Sequence, residues 1–203
     1  MKIQLLLATA NPSKARELSM ALKDLGLAIL TLADFPEIKL PPEDGTTFEE
    51  NARIKAEFCC RKTGLPALAD DSGILVETLP GELGVQTVRF GAGAEASDEE
   101  WLEYFLQKME SKQNRRAKFV CVLALAQANR STRGVEFFHG EVEGEILREI
   151  GAPILPRIPL SSVFLADGAD KVFAAMSDTE KAKFSHRGRA LELAKKFLRK
   201  ELK

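Results

Sequence analysis

The chain has almost no excess of charge of either sign: 29 Lys and Arg stand against 30 Asp and Glu, a formal net charge of -1. Binding nucleic acid by counterion release calls for a basic excess or stripe. Here basic residues gather only at 112–118 and in the last turns of the chain, where they read as solvated faces, so nucleic acid is not an expected partner. Cysteine is scarce too, with only Cys59, Cys60 and Cys121. An odd number without metal-ligand spacing argues against a disulfide framework, and a reducing cytoplasmic setting is expected. Long apolar runs are missing. The stretch 3–8 is apolar but too short to span a bilayer, and Asn11, Pro12, Ser13 and Lys14 interrupt it, so no membrane partner is expected. There is no internal repeat, no low-complexity segment and no linker. With 45% hydrophobic residues, the 203 residues suffice for one domain, 1–203, with a substantial core.

What is present alternates between strand-like and helix-like patterns. Residues 3–8 read as a strand covered on both faces. Leu18, Ala21, Leu22 and Leu25 recur at helical spacing within 15–25, and Gly26 marks a stop. A second strand is expected at 28–32, and the proline-rich stretch 35–47 must be loop. Thr47, followed three residues later by Glu50, predicts a capping box opening a helix over 48–61. Short strands are expected at 65–69 and 74–79, and a helix from Ser97 to Met109. Two long strands at 119–126 and 135–146 should pair antiparallel through the loop at 129–134, and an amphipathic helix closes the chain at 187–202. The expected class is α/β: a mixed, twisted sheet flanked by helices, forming two lobes with a central cleft.

Four segments carry chemistry. Ala69-Asp70-Asp71-Ser72-Gly73 suits a strand end opening into a turn, where ligands collect in open α/β sheets. Its carboxylates are hard ligands of the kind Mg²⁺ takes alongside substrate phosphates, although Asp, Ser and Gly also serve as ordinary turn residues. Thr9-Ala10-Asn11-Pro12-Ser13-Lys14 follows the first strand, and a strand leading through small polar residues to a helix start presents N–H groups and a dipole to phosphate. The Walker glycine pattern is absent, and helix capping by Asn11 or Ser13 fits the same residues. In the third segment Glu43 and Asp44 occupy a loop beside Gly45, while Asn51 and Lys55 share a helix face. An exposed acidic helix start explains Glu49 and Glu50, but Asn51 less well, because Asn is a poor helix-interior residue. Near the C-terminus, Ser185 as N-cap would put His186 and Arg187 in a first helical turn, where positive groups oppose the dipole. A bound anion would relieve that conflict.

Taken together, TANPSK at 9–14, EDGTTFEENARIKA at 43–56, ALADDSGILVETLPGELGVQTVRFGAG at 67–93 and EKAKFSHRGRAL at 180–191 resemble the non-canonical purine nucleoside-triphosphate pyrophosphatases. These enzymes act on inosine and xanthosine triphosphates and their deoxy forms. The resemblance runs through nearly the whole chain, and AKFVCVLAL and GEVEGEI look like the family's paired strands. It implies Mg²⁺-dependent hydrolysis to the monophosphate and pyrophosphate, cleansing the nucleotide pool. Thr9, Asn11 and Lys14, with the intervening backbone of Ala10, Pro12 and Ser13, would hold the triphosphate. Glu43 and Asp71 would bind the metal, and Asp71 would take a proton from the attacking water. Ser72 would touch substrate and Lys55 would neutralise phosphate. Lys181, His186 and Arg187 would close over the nucleotide, the last two near the base. A homodimer in the cytoplasm is the implied assembly and setting.

The family usually carries a Gly-Phe-Gly-Tyr-Asp-Pro run before the C-terminal motif, whereas this chain has Arg157-Ile158-Pro159-Leu160-Ser161-Ser162-Val163-Phe164. Ile158, Leu160 and Ser161 take the places of the phenylalanine, tyrosine and aspartate, and Ala175 and Ala182 replace a usual glutamate and asparagine. A stacking platform is missing there. Two alternatives therefore stand beside the leading expectation: a pyrophosphatase for a different modified nucleotide, or a catalytically weak nucleotide-binding protein.

Overall fold

The computed structural model describes residues 3–90, 96–127 and 134–201. Among them lie six strands, β1 (Gln4–Leu7), β2 (Ala28–Thr31), β3 (Ala67–Val76), β4 (Arg116–Ala126), β5 (Glu136–Ile146) and β6 (Phe164–Ala166). The helices are α1 (Pro12–Leu22), α2 (Phe48–Thr63), α3 (Asp98–Met109), α4 (Asp178–Phe184) and α5 (His186–Glu201). The strands form one mixed sheet in the order β2-β1-β3-β4-β5-β6. By its contacts the chain divides into two compact units interleaved in sequence. One comprises Met1–Asp71, Cys121–Gly140 and Arg189–Lys203, the other Ser72–Val120 and Glu141–Gly188.

The first unit is built on parallel pairing. β1 runs parallel to β2, from Gln4 opposite Ala28 to Leu7 opposite Thr31, and parallel to β3 through Leu6–Ala67 and Leu7–Leu68. Parallel strands are covered on both faces, and Leu5, Leu6 and Leu7 are accordingly buried. Their core continues into Leu18 and Leu22 of α1, Cys121, Leu123 and Leu125 of β4, and Ala190, Leu191, Ala194 and Leu198 of α5. The residues from α5 recur at helical spacing and give it one apolar face.

The second unit is antiparallel. Backbone bonds from Glu77 N to Arg116 O and from Ile146 N to Arg115 O join the far ends of β3, β4 and β5, and β6 pairs antiparallel with β5. Along β5, buried and exposed residues alternate from Phe138 to Ile146, the period of two that a half-covered sheet requires. Ser97 opens α3 with a complete capping box to Glu100, and Trp101, Leu102, Phe105 and Met109 enter a core containing Ile74, Phe119, Phe164 and Phe173.

Three expectations shift. The segments 65–69 and 74–79 are one unbroken ten-residue strand, so Asp70 and Asp71 lie in the interior of β3 rather than at a strand end. The strand end beside them belongs to β1: its last register pair is Leu7–Leu68, after which only Ala8 N reaches β3, at Leu68 O. β3 runs on past its neighbour. The basic group at 112–118 is not all solvated face, because the Arg115 guanidinium caps three backbone carbonyls, those of Met109, Ile146 and Leu147. The helix expected over 48–61 is observed, but Glu50 accepts from Thr46 N and Oγ1 while Thr47 caps Glu50 N. The loop at 129–134 falls outside the described residues except for Gly134.

Candidate active site

In the first unit the Thr9–Lys14 segment turns directly from β1 into α1. Asn11 caps the helix, its Oδ1 accepting from Ser13 N at 3.0 Å and Lys14 N at 3.3 Å. Pro12, at the first helical position, has no N–H to leave unpaired. The capping alternative weighed for Asn11 is thus the observed one, and those two amides are already engaged. Thr9 Oγ1 accepts from Asn11 N at 3.2 Å, which leaves its hydroxyl proton to donate elsewhere.

Lys14 extends to Asp70, with Nζ 2.5 Å from Oδ1, and the Asp70 side chain is fully buried. Its other oxygen accepts from the Cys121 thiol of β4 at 3.2 Å. Asp70 is therefore held by a lysine and a thiol in a fully buried position. Residues 70 and 71 are successive on a strand, so their side chains leave opposite faces. Asp71 is also buried, yet its Oδ2 has no hydrogen-bond partner. Burial pushes its carboxyl above the ordinary range; Lys55 opposes this, while Glu43 adds to it.

Lys55 connects these groups. It is buried on α2, and its Nζ donates to Glu43 Oε1 at 2.5 Å and to Asp70 O at 2.7 Å, and lies 3.6 Å from Asp71 Oδ1. One ammonium thus gathers Glu43 and Asp71 from a loop and a strand. Among the described residues no group of three or more His, Cys, Asp or Glu is arranged to hold a metal. Two carboxylates, one with an unpartnered buried oxygen, fit Mg²⁺, which completes its coordination with water and phosphate oxygens.

The second unit carries the other predicted residues. Ser185 makes a tight corner: its N–H donates to Lys181 O at the end of α4, and its Oγ accepts from Gly188 N in the first turn of α5. Gly188 is needed because a Cβ there would lie 2.0 Å from Ala182 O. The corner buries Lys181, His186 and Arg187 together. Arg187 donates to Ser72 Oγ at 3.1 Å. The His186 ring stacks on Phe119, centroids 4.7 Å apart with 11° between planes, and on Phe173 at 6.2 Å. Phe119 and Phe173 are distant in sequence from His186 and carry no local signal of this role. Cys121, within a strand that reads as purely apolar, is likewise invisible as a partner for Asp70.

The segment that departs from the family pattern is folded tightly. A 3₁₀ turn at Pro159–Ser162 buries Leu160, and Val163 follows it into the core. Ser161 Oγ donates to Ile158 O at 2.6 Å and Ser162 Oγ to Pro153 O at 3.1 Å. Arg157 takes a positive φ of 61°, and its N–H donates to Asp98 Oδ2 at 2.7 Å.

The chain is similar to known proteins over nearly its whole length. Residues 5–197 match the model of the Ham1 family. A protein of Thermus thermophilus named dITP/XTP pyrophosphatase is 44% identical over 195 residues, 93% of this chain and 88% of that protein. A solved HAM1 protein from Coxiella burnetii superposes with a TM-score of 0.83 at 35% identity, covering 97% of this chain and 98% of that one. The Ham1 protein of Staphylococcus aureus gives a TM-score of 0.82 at 31% identity, covering 98% and 99%.

Proposed function

The chain belongs to the Ham1 family, and from that premise we propose that it hydrolyses inosine- and xanthosine-type nucleoside triphosphates, such as dITP and XTP, to the monophosphate and pyrophosphate. The observation that carries the reading is the buried, unpartnered Asp71 Oδ2 beside the Lys55–Glu43 pair. An oxygen left in that state costs free energy unless a ligand satisfies it. Glu43 and Asp71 would hold Mg²⁺, which supplies charge to polarise a phosphate and lower the pKa of water. Asp71, its carboxyl raised by burial, is suited to accept a proton from water attacking the α-phosphorus. Phosphoryl transfer depends mainly on positioning and charge neutralisation. Lys14, the Thr9 hydroxyl and the Ala10 backbone would engage the triphosphate beside the Pro12–Ser13 turn that Asn11 holds, and Lys55 would exchange Glu43 for phosphate oxygen.

Ser72, Lys181, His186 and Arg187 would engage the remainder of the nucleotide, with His186 and Arg187 toward the base. The resemblance also supports a homodimer, and three buried free thiols suit a reducing cytoplasm. A second reading keeps the bond and changes the base. It is favoured by residues 157–164, where Leu160 is committed to the core and the 3₁₀ turn offers no ring for stacking. One panel tests both: inosine, xanthosine, guanosine, adenosine and pyrimidine triphosphates with Mg²⁺, pyrophosphate and orthophosphate measured separately. Pyrophosphate from the inosine and xanthosine forms alone supports the first reading, and preference for another base the second. Orthophosphate as the primary product overturns both.

A further inference from the structure

Asn51 is buried in the first half of α2, although its carboxamide competes with the backbone and disfavours helix interiors. Its Nδ2 is also buried and without a partner. The fold accepts both penalties around one contact: Asn51 Oδ1 accepts the N–H of Gly45, six residues earlier, at 2.8 Å. The approach is so close that a Cβ on Gly45 would lie 2.7 Å from that oxygen and 2.8 Å from Glu50 Cβ. One turn further along the same face, Lys55 holds Glu43. Thr46 is held through the exposed Glu50 carboxylate. Of these ties, the amide of Gly45 is the one made to a buried neutral side chain.

That difference matters chemically. A metal ion taken up by Glu43 brings positive charge beside the Lys55 ammonium on the same carboxylate and weakens that tie. The loop therefore needs an anchor that does not depend on the charge of Glu43. We propose that Asn51 is a positioning residue for the metal site: it anchors Gly45 to α2 so that Glu43 keeps its place while its partner changes from Lys55 to the ion. The inference rests on the Glu43–Asp71 metal reading above and adds to it the device that preorganises Glu43. Partners of this kind around metal ligands change metal affinity by about 10- to 100-fold when removed.

The test is titration of metal-free protein with Mn²⁺ alone, followed by electron paramagnetic resonance, together with the Mg²⁺ dependence of turnover and hydrogen exchange at the Gly45 amide. Asn51→Ala should weaken Mn²⁺ binding about tenfold, raise the Mg²⁺ half-saturation in parallel, affect kcat at saturating Mg²⁺ less, and speed Gly45 exchange. Gly45→Ala, whose added Cβ would crowd the same Asn51 oxygen from the loop side, should do the same to the metal, and the double variant should be little worse than either single. Asn51→Asp keeps an acceptor and should restore slow exchange at Gly45. Wild-type Mn²⁺ affinity in Asn51→Ala and Gly45→Ala, or fully additive losses, would overturn the inference alone. A wild-type protein that neither binds Mn²⁺ nor responds to Mg²⁺ overturns the metal reading and this inference with it.

Discussion

The two residue clusters solve opposite physical problems. In the first unit, Asp70, Asp71, Glu43, Lys14 and Lys55 concentrate ionisable groups around the middle of β3, and nearly every contact is an ion pair or a charge-assisted hydrogen bond. In the second, the His186 ring stacks on Phe119 and Phe173, and Arg187 donates to the Ser72 hydroxyl. Charge density is suited to a triphosphate and its metal, and flat apolar surface with a few polar tips is suited to a base. The first cluster is internally balanced except at one oxygen of Asp71, and imbalance of that kind marks a place where a ligand completes the arrangement.

The sharpest way to break the contrast is Asp71→Asn. Turnover should fall by roughly 10³-fold, within the range expected for loss of a general base, while circular dichroism stays native. Stability should move the other way. Because burial raises the Asp71 carboxyl in the folded state, the folded protein binds this proton more readily than the unfolded chain. Its ionisation therefore weakens the fold as pH rises above the ordinary carboxylate range. In metal-free buffer Asp71→Asn should unfold at a higher temperature than wild type near pH 7, with the gain vanishing in acid. A lower midpoint at pH 7 would contradict the assigned direction.

Next in size is Lys14→Met, which leaves the fully buried Asp70 carboxylate without its ammonium. Losing one partner of a buried pair should cost about 3 kcal/mol in urea denaturation, with weaker binding of every triphosphate whatever its base. His186→Phe sharpens the other side. The ring can still stack on Phe119, so the unfolding midpoint should stay close to wild type, while loss of the imidazole nitrogens should raise KM about tenfold for the preferred base. Equal losses for all bases would instead place His186 at the phosphates. The smallest effect is expected for Arg116→Ala, whose forked pair with Asp167 is exposed. Surface pairs contribute little, so neither turnover nor the unfolding midpoint should change measurably.

Much of this was readable along the chain, for local reasons. Leu5–Leu7, the caps at Asn11, Thr47, Ser97 and Ser185, and the apolar spacing of α5 depend on neighbours within a few positions, and each recurs in the structure. The acidic pair was legible as a functional feature but not in its setting. Turn-forming residues suggested a break after Ala69, whereas β3 continues because pairing across the sheet overrides the local preference of Asp-Asp-Ser-Gly for a turn. Arg115 reads as solvated along the chain for a related reason, since its three carbonyl partners include two that arrive more than thirty residues later.

The order of residues along the chain set the chemical inventory: an α/β chain of balanced charge with four segments whose residue types suit a phosphate, a hard metal ion and a nucleotide. Folding alone settles which carboxylate keeps an oxygen without a hydrogen-bond partner. Asp70 and Asp71 are chemically alike and adjacent. The pleat of β3 sends them to opposite faces, where Lys14 and Cys121 occupy one while the other keeps a buried oxygen unpartnered. That choice rests on contacts from α1 and β4, which the chain brings to β3 only when it folds.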